Sequence, residues 1–243
     1  MKKETDLNQI KSMARTFIYL DIEETKFGAI MVQHPFTNME MVCLLNGKEP
    51  EFVNLLEDEN ALSRWRDIMK NQIEECEYPH QLYILLNKPY RLAFLKYTAE
   101  YMSQDDLSEI LADVRTSTES PNLDPNLNKR KLVSLFISSN PYMLMTEEKL
   151  EVFNSLDEIT IYRGVTSYNA DNEKALFWTL DYDKAEWFAK RFGEARIVYE
   201  AQIEEAHILA YFNRKNESEI IVDPEYLLAI EETQTQIGEI AMM

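Results

Sequence analysis

The 243-residue sequence predicts an α+β protein, helical over its first two thirds and strand-rich over its last third. Three observations carry this. Apolar residues recur at helical spacing from about 58 to 156, and after about 158 the apolar period falls to two. Hydrophobic residues make up 45% of the chain, enough for a core despite a formal net charge of −18. The change of period divides the chain into a mainly helical region, 1–157, and a strand-rich region, 158–243.

Each element follows from local pattern. Residues 16–22 and 27–32 alternate apolar and polar about a polar turn, which predicts a hairpin. Leu62, Trp65, Met69 and Cys76 recur near helical spacing, with Ile68 and Ile73 beside them, and Pro79 is expected to end that helix. A second helix follows Pro89, with Leu92, Leu95, Ala99 and Met102 on one side. Ser103-Gln104-Asp105-Asp106 reads as a helix start, and Leu107, Ile110, Leu111 and Val114 form the stripe behind it. Residues 115–128 are polar, carry two prolines and read as a loop. Leu132, Val133, Leu135 and Phe136 mark another helix, and Thr146 caps one more. Strands are expected at 159–162, 175–180, 196–203, 208–212, 219–222 and 226–230. Asp181 caps a helix over 182–192 whose inner face is Ala185, Phe188, Ala189 and Phe192.

Composition excludes several functions. The five glycines are about 2% of the chain, against a usual ~7%. Their scatter permits neither a dinucleotide-binding glycine fingerprint nor a phosphate-cradling loop. The acidic excess speaks against a broad nucleic-acid footprint and against docking on anionic membranes. Cys43 and Cys76 form no metal-binding or redox spacing, and His34, His80 and His207 are far apart, so no metal is expected. Lys2 and Lys3 precede no apolar run, and no 18-residue apolar stretch occurs. A cytoplasmic protein is expected, with export lacking a cleaved signal left open.

Three stretches stand out for chemistry. Tyr162-Arg163-Gly164 ends a strand, and a glycine beside an arginine lets backbone approach a fixed cation. Phe177-Trp178-Thr179 places one hydroxyl on a strand that feeds the helix capped by Asp181. Glu217-Ser218-Glu219 sets two carboxylates at i and i+2, which on a strand share a face. Two like charges there repel unless a cation or polar ligand lies between them.

In this order and spacing the three stretches resemble the ADP-ribosyltransferase family, in the branch with an arginine strand, a Ser-Thr-Ser strand and a Glu-x-Glu strand. The resemblance covers residues 158–230. Only Thr179 remains of the Ser-Thr-Ser trio, flanked by Trp178 and Leu180. The resemblance implies a split β-sandwich core that takes NAD as substrate without a metal. It implies that Arg163, beside Gly164, holds the NAD phosphate and the adenosine-side ribose. Thr179 would hydrogen-bond near Arg163 or the nicotinamide ribose. Trp178 serves either as a flat wall for nicotinamide or as core. Glu219 would accept the ribose 2′-hydroxyl and stabilise the positive charge that develops on the sugar. Glu217 would orient or deprotonate the acceptor, and a glutamate there goes with arginine acceptors in the family. Tyr211 to Asn216 would form a target-recognition loop with Tyr211 or Phe212 exposed.

The reading that follows is a mono-ADP-ribosyltransferase acting on a protein, like the toxins and phage effectors of that family. Region 1–157 would recognise the target or complete the fold. The charge points to a basic host protein as partner, a nucleic-acid-binding protein among the candidates. Two alternatives stand beside it. One is a catalytically degenerate acidic protein of the same fold that blocks a basic partner. The other transfers ADP-ribose to nucleic acid or a small molecule, or hydrolyses NAD.

Overall fold

A computed structural model describes residues 3–26, 28, 30–117, 127–166, 174–191, 197–213 and 217–234. The chain forms two compact units, residues 1–127 and 128–243. The second unit thus begins at Asn128, whereas the change of apolar period places the division after 157.

In the first unit, α1 (Leu7–Phe17) begins at Asp6, whose carboxylate accepts from the Gln9 amide. Residues 16 and 17 therefore end a helix and do not open a strand. Ile10, Ala14 and Phe17 are its buried stripe, a 3.6-residue period that starts before the alternation at 16–22. No residue of the expected first strand lies in a strand, and of the second Met31 and Val32 do. β1 (Glu23–Glu24) pairs antiparallel with β2 (Met31–His34), and β3 (Thr37–Met39) extends the sheet. Phe27 and Ala29 of the expected second strand lie outside the described residues. β4 (Met41–Asn46) and β5 (Glu49–Asn54) form a hairpin that turns at Gly47-Lys48, with Gly47 at a φ of 67°.

Four helices complete this unit: α2 (Glu59–Glu75), α3 (Pro79–Leu85), α4 (Arg91–Thr98) and α5 (Gln104–Ser117). The Asp58 carboxylate caps α2 by accepting from the Asn60 and Ala61 amides. Pro79 opens α3 as well as closing the segment before it, since proline suits the first helical position. The Ser103 hydroxyl accepts from the Asp106 amide at the head of α5. Ile10, Leu82, Tyr83, Phe94, Leu95, Ile110 and Leu111 are fully buried, and α1 contacts α2, α3 and α4.

The second unit opens with α6 (Lys129–Ile137), α7 (Pro141–Leu144) and α8 (Glu147–Asn154). Then come β6 (Ile159–Val165), β7 (Phe177–Thr179), α9 (Tyr182–Lys190), β8 (Ile197–Ile203), β9 (Ile208–Phe212), β10 (Glu219–Val222) and β11 (Leu228–Gln234). The last strand starts two residues later than expected, because Pro224–Tyr226 form a 3-10 turn. All strand pairs are antiparallel, in the order β11-β8-β6-β7-β10-β9. β6 and β7 share one register pair, Tyr162 with Thr179. Three strands lie on either side of that seam.

One face of the sheet packs Ile161, Val165, Trp178, Tyr199, Ala201, Ile203, Ile220 and Val222 into a core joined by Phe153 and Leu156. The other face meets α9 through Ala185, Ala189 and Val198, with Tyr162 and Tyr182 beside them. α6 and α8 contact β9, the edge strand. There the buried Met145 Sδ accepts from the Tyr211 amide at 3.1 Å.

Candidate active site

The three motif strands, distant in sequence, are neighbours in the order β6-β7-β10. Thr179 stands opposite both Tyr162 and Glu219, so one row crosses the sheet through all three stretches. Residues opposite each other in an antiparallel pair share a face. Thr179 and Glu219 therefore share the face of Tyr162. Arg163 alternates to the other face, opposite Tyr199 and with Ile161 and Val165.

Arg163 is 7% exposed. Burial brings its pKa down to about 10, which the facing Tyr199 opposes, so it stays cationic at neutral pH. A second cation lies near it. Lys129, the first residue of α6, donates from Nζ to the Lys174 carbonyl at 2.6 Å. Burial lowers the pKa of that ammonium, and the positive charge of Arg163 lowers it further. Nothing in the sequence around Lys129 signals this approach, which arises from the packing of α6.

Gly164 is required by a helix. A Cβ built on it would lie 1.9 Å from the Ala185 carbonyl oxygen and 2.7 Å from the Ala189 nitrogen. The backbone that approaches Gly164 is that of α9, where the sequence suggested a ligand. Trp178 belongs to the core: it is 3% exposed and its indole N–H donates to the Ala175 carbonyl at 2.8 Å. Of the two roles open to it in the sequence, the structure fills the second.

Thr179 is a junction. Its hydroxyl donates to the Glu217 carbonyl at 2.7 Å and accepts from the Asp181 amide at 3.1 Å. Its one proton is thus committed to the Glu-x-Glu turn. Asp181 in turn caps α9 by accepting from the Asp183 and Lys184 amides. A continuous chain runs from Glu217 through Thr179 and Asp181 to the helix seated on Gly164.

The Glu-x-Glu stretch departs from the expected strand. Ser218 has a φ of 44°, a left-handed conformation that costs a non-glycine residue about 1–2 kcal/mol. β10 begins only at Glu219, so Glu217 lies outside it and the shared-face argument fails. Three hydrogen bonds hold the strained turn. Thr179 donates to the Glu217 carbonyl, Leu180 N donates to the Ser218 carbonyl at 2.9 Å, and Ser218 N donates to Asn213 Oδ1 at 3.2 Å. Glu217 and Glu219 are both half-buried. Such a conformation persists because its surroundings fix it; Ala229 in β11, with a φ of 46°, is a second case in this unit. The serine conformation leaves no mark in the sequence.

Tyr211 and Phe212 are buried in β9, at 6% and 3% exposure, and do not present an exposed aromatic. Arg214, Lys215 and Asn216 of the expected recognition loop lie outside the described residues. Among the described residues no group of three His, Cys, Asp or Glu is placed to hold a metal ion, and no helix is long and apolar enough to cross a membrane. Comparison with protein-family models, with curated proteins and with solved structures gives no match.

Proposed function

We propose that the protein is a mono-ADP-ribosyltransferase with a split-sheet core, which moves ADP-ribose from NAD to a protein side chain, arginine being the acceptor. The adjacency of β6, β7 and β10, with Thr179 facing both Tyr162 and Glu219, carries this reading. The short pairing of β6 with β7, one register pair at Tyr162 and Thr179, is compatible with a sheet divided at that point.

On this reading Arg163 and Lys129 hold the phosphates of NAD, two cations serving one anion. Glu219 faces the nicotinamide ribose. The bond between nicotinamide nitrogen and the ribose anomeric carbon breaks, with its electron pair leaving on nicotinamide. A fixed carboxylate favours the positive sugar more than the neutral ground state. The acceptor nitrogen then bonds to that carbon, and its proton passes to Glu217. Thr179 is a positioning residue that fixes the turn bearing Glu217. The charge of −18 suits a basic protein as the one modified, such as a nucleic-acid-binding protein of a host.

A second reading has its own observation. Arg163 and Glu219 alternate to opposite faces, and Arg163, Trp178 and Thr179 are each less than a tenth exposed. A binding protein of this fold without catalysis fits that burial. Incubation with NAD labelled in the adenylate and a cell lysate separates the two. The transferase labels protein and releases nicotinamide, and Glu219→Gln abolishes both. Glu217→Gln loses transfer and keeps slow NAD hydrolysis. A folded wild-type protein that neither labels protein nor releases nicotinamide leaves the second reading standing.

A further inference from the structure

The first unit contains a concavity of its own, of about 340 Å³, against α2. Leu62, Ser63, Arg66 and Lys70 line it at helical spacing, and Tyr19, just beyond α1, forms the facing wall. The volume lies in the range of small-ligand sites.

Its charges are unequal in standing. Lys70 pairs with Asp67 at 2.9 Å. Arg66 has no such partner: among the described residues no carboxylate comes within ion-pair distance, and its guanidinium makes no hydrogen bond. Its Nε is buried without an acceptor. Only the flat face of the guanidinium is occupied, lying 5.0 Å from the centre of the Tyr19 ring. The edge, with its forked N–H donors, is unmet, although the chain has 43 acidic residues against 25 basic ones. The neighbouring His34 supplies no competing acceptor. It is 1% exposed, its Nδ1 already accepts from the Phe36 amide, and burial together with the Arg66 charge holds its pKa near 4. The Ile18 and Leu20 backbones oppose that shift.

We propose that this concavity binds a small organic ligand bearing one anionic group, a carboxylate or a phosphate monoester. The guanidinium edge of Arg66 takes the anion in bidentate fashion, the Ser63 hydroxyl adds a donor, and the Tyr19 ring, covered by Arg66 and Lys70, backs the two cations. Glu59 and Asp67 at the lining disfavour polyanions such as nucleic acid and polyphosphates. The site is independent of the transferase reading and contains none of its residues.

Titration of the full chain with benzoate, phenyl phosphate and neutral benzamide, followed by 15N-resolved NMR, tests it. Saturable shifts at Ser63, Lys70 and the Arg66 Nε–H with either anion, and none with benzamide, are expected. Benzoate against phenyl phosphate tells which anion is preferred. Arg66→Gln weakens binding at least about tenfold, the loss of one charge-assisted contact. Tyr19→Leu, which leaves the cation in place, weakens it several-fold. Equal shifts with benzamide, no saturation with either anion, or unchanged affinity in a folded Arg66→Gln variant would overturn the proposal.

Discussion

Gly164 and Gly47 show two different reasons for a glycine. Gly164 sits where α9 touches β6, and any Cβ there meets helix backbone at 1.9 Å. Gly164→Ala should therefore lower stability by about 3 kcal/mol or more, since fixed backbone must shift. Gly47 has open space around it and a φ of 67°, so Gly47→Ala should cost only about 1 kcal/mol. Urea unfolding of the two variants beside the wild type checks the order. Equal losses would show that α9 does not depend on a bare β6 backbone at this point. At this scale the sequence singled out Arg163, Thr179, Glu217 and Glu219 and placed them on or beside strands that prove adjacent. It did not disclose the left-handed Ser218, because a serine there looks like any strand serine. Nor did it disclose the approach of Lys129 to Arg163, which tertiary packing alone creates.

Among the elements, β7 is the shortest strand of its sheet, and it links two other features of the site. Thr179 ties the Glu-x-Glu turn on one side to the cap of α9 on the other. Thr179→Val keeps the shape but leaves the Glu217 carbonyl and the Asp181 amide without that partner. A loss of about 1–3 kcal/mol is expected, with Thr179→Ser restoring most of it. Thermal unfolding reads the stability. On the transferase reading, transfer to protein should fall in kcat more than in KM, since the aim of Glu217 is lost and not the hold on phosphate. Unchanged stability in Thr179→Val would remove the junction role. Elements with a cap and a clean period were legible: α2, α5, α9 and strands β8, β9 and β10. The segment 16–22 was misread because its alternation overlaps the last turn of α1. The role of Pro79 was half read, since proline closes one segment and opens the next.

At the level of the whole molecule, the boundary at 128 assigns α6, α7 and α8 to the sheet. Phe153 and Leu156 pack on its core, and α6 and α8 contact β9. A fragment of residues 128–243 should unfold cooperatively and give dispersed amide resonances. A fragment of 158–243, which lacks those three helices, should not. Cooperative folding of the shorter fragment would show that the helices are dispensable. The sequence placed this division at 158 because a change of period marks where secondary structure changes, and packing does not respect that point. The edge strand carries a last consequence. An outer strand ordinarily offers free backbone groups that can recruit a foreign chain. Here the thioether of Met145 occupies the Tyr211 amide, and α6 and α8 lie against the same strand. At Tyr211 the β9 border of the sheet is thus closed to templated growth from within its own unit.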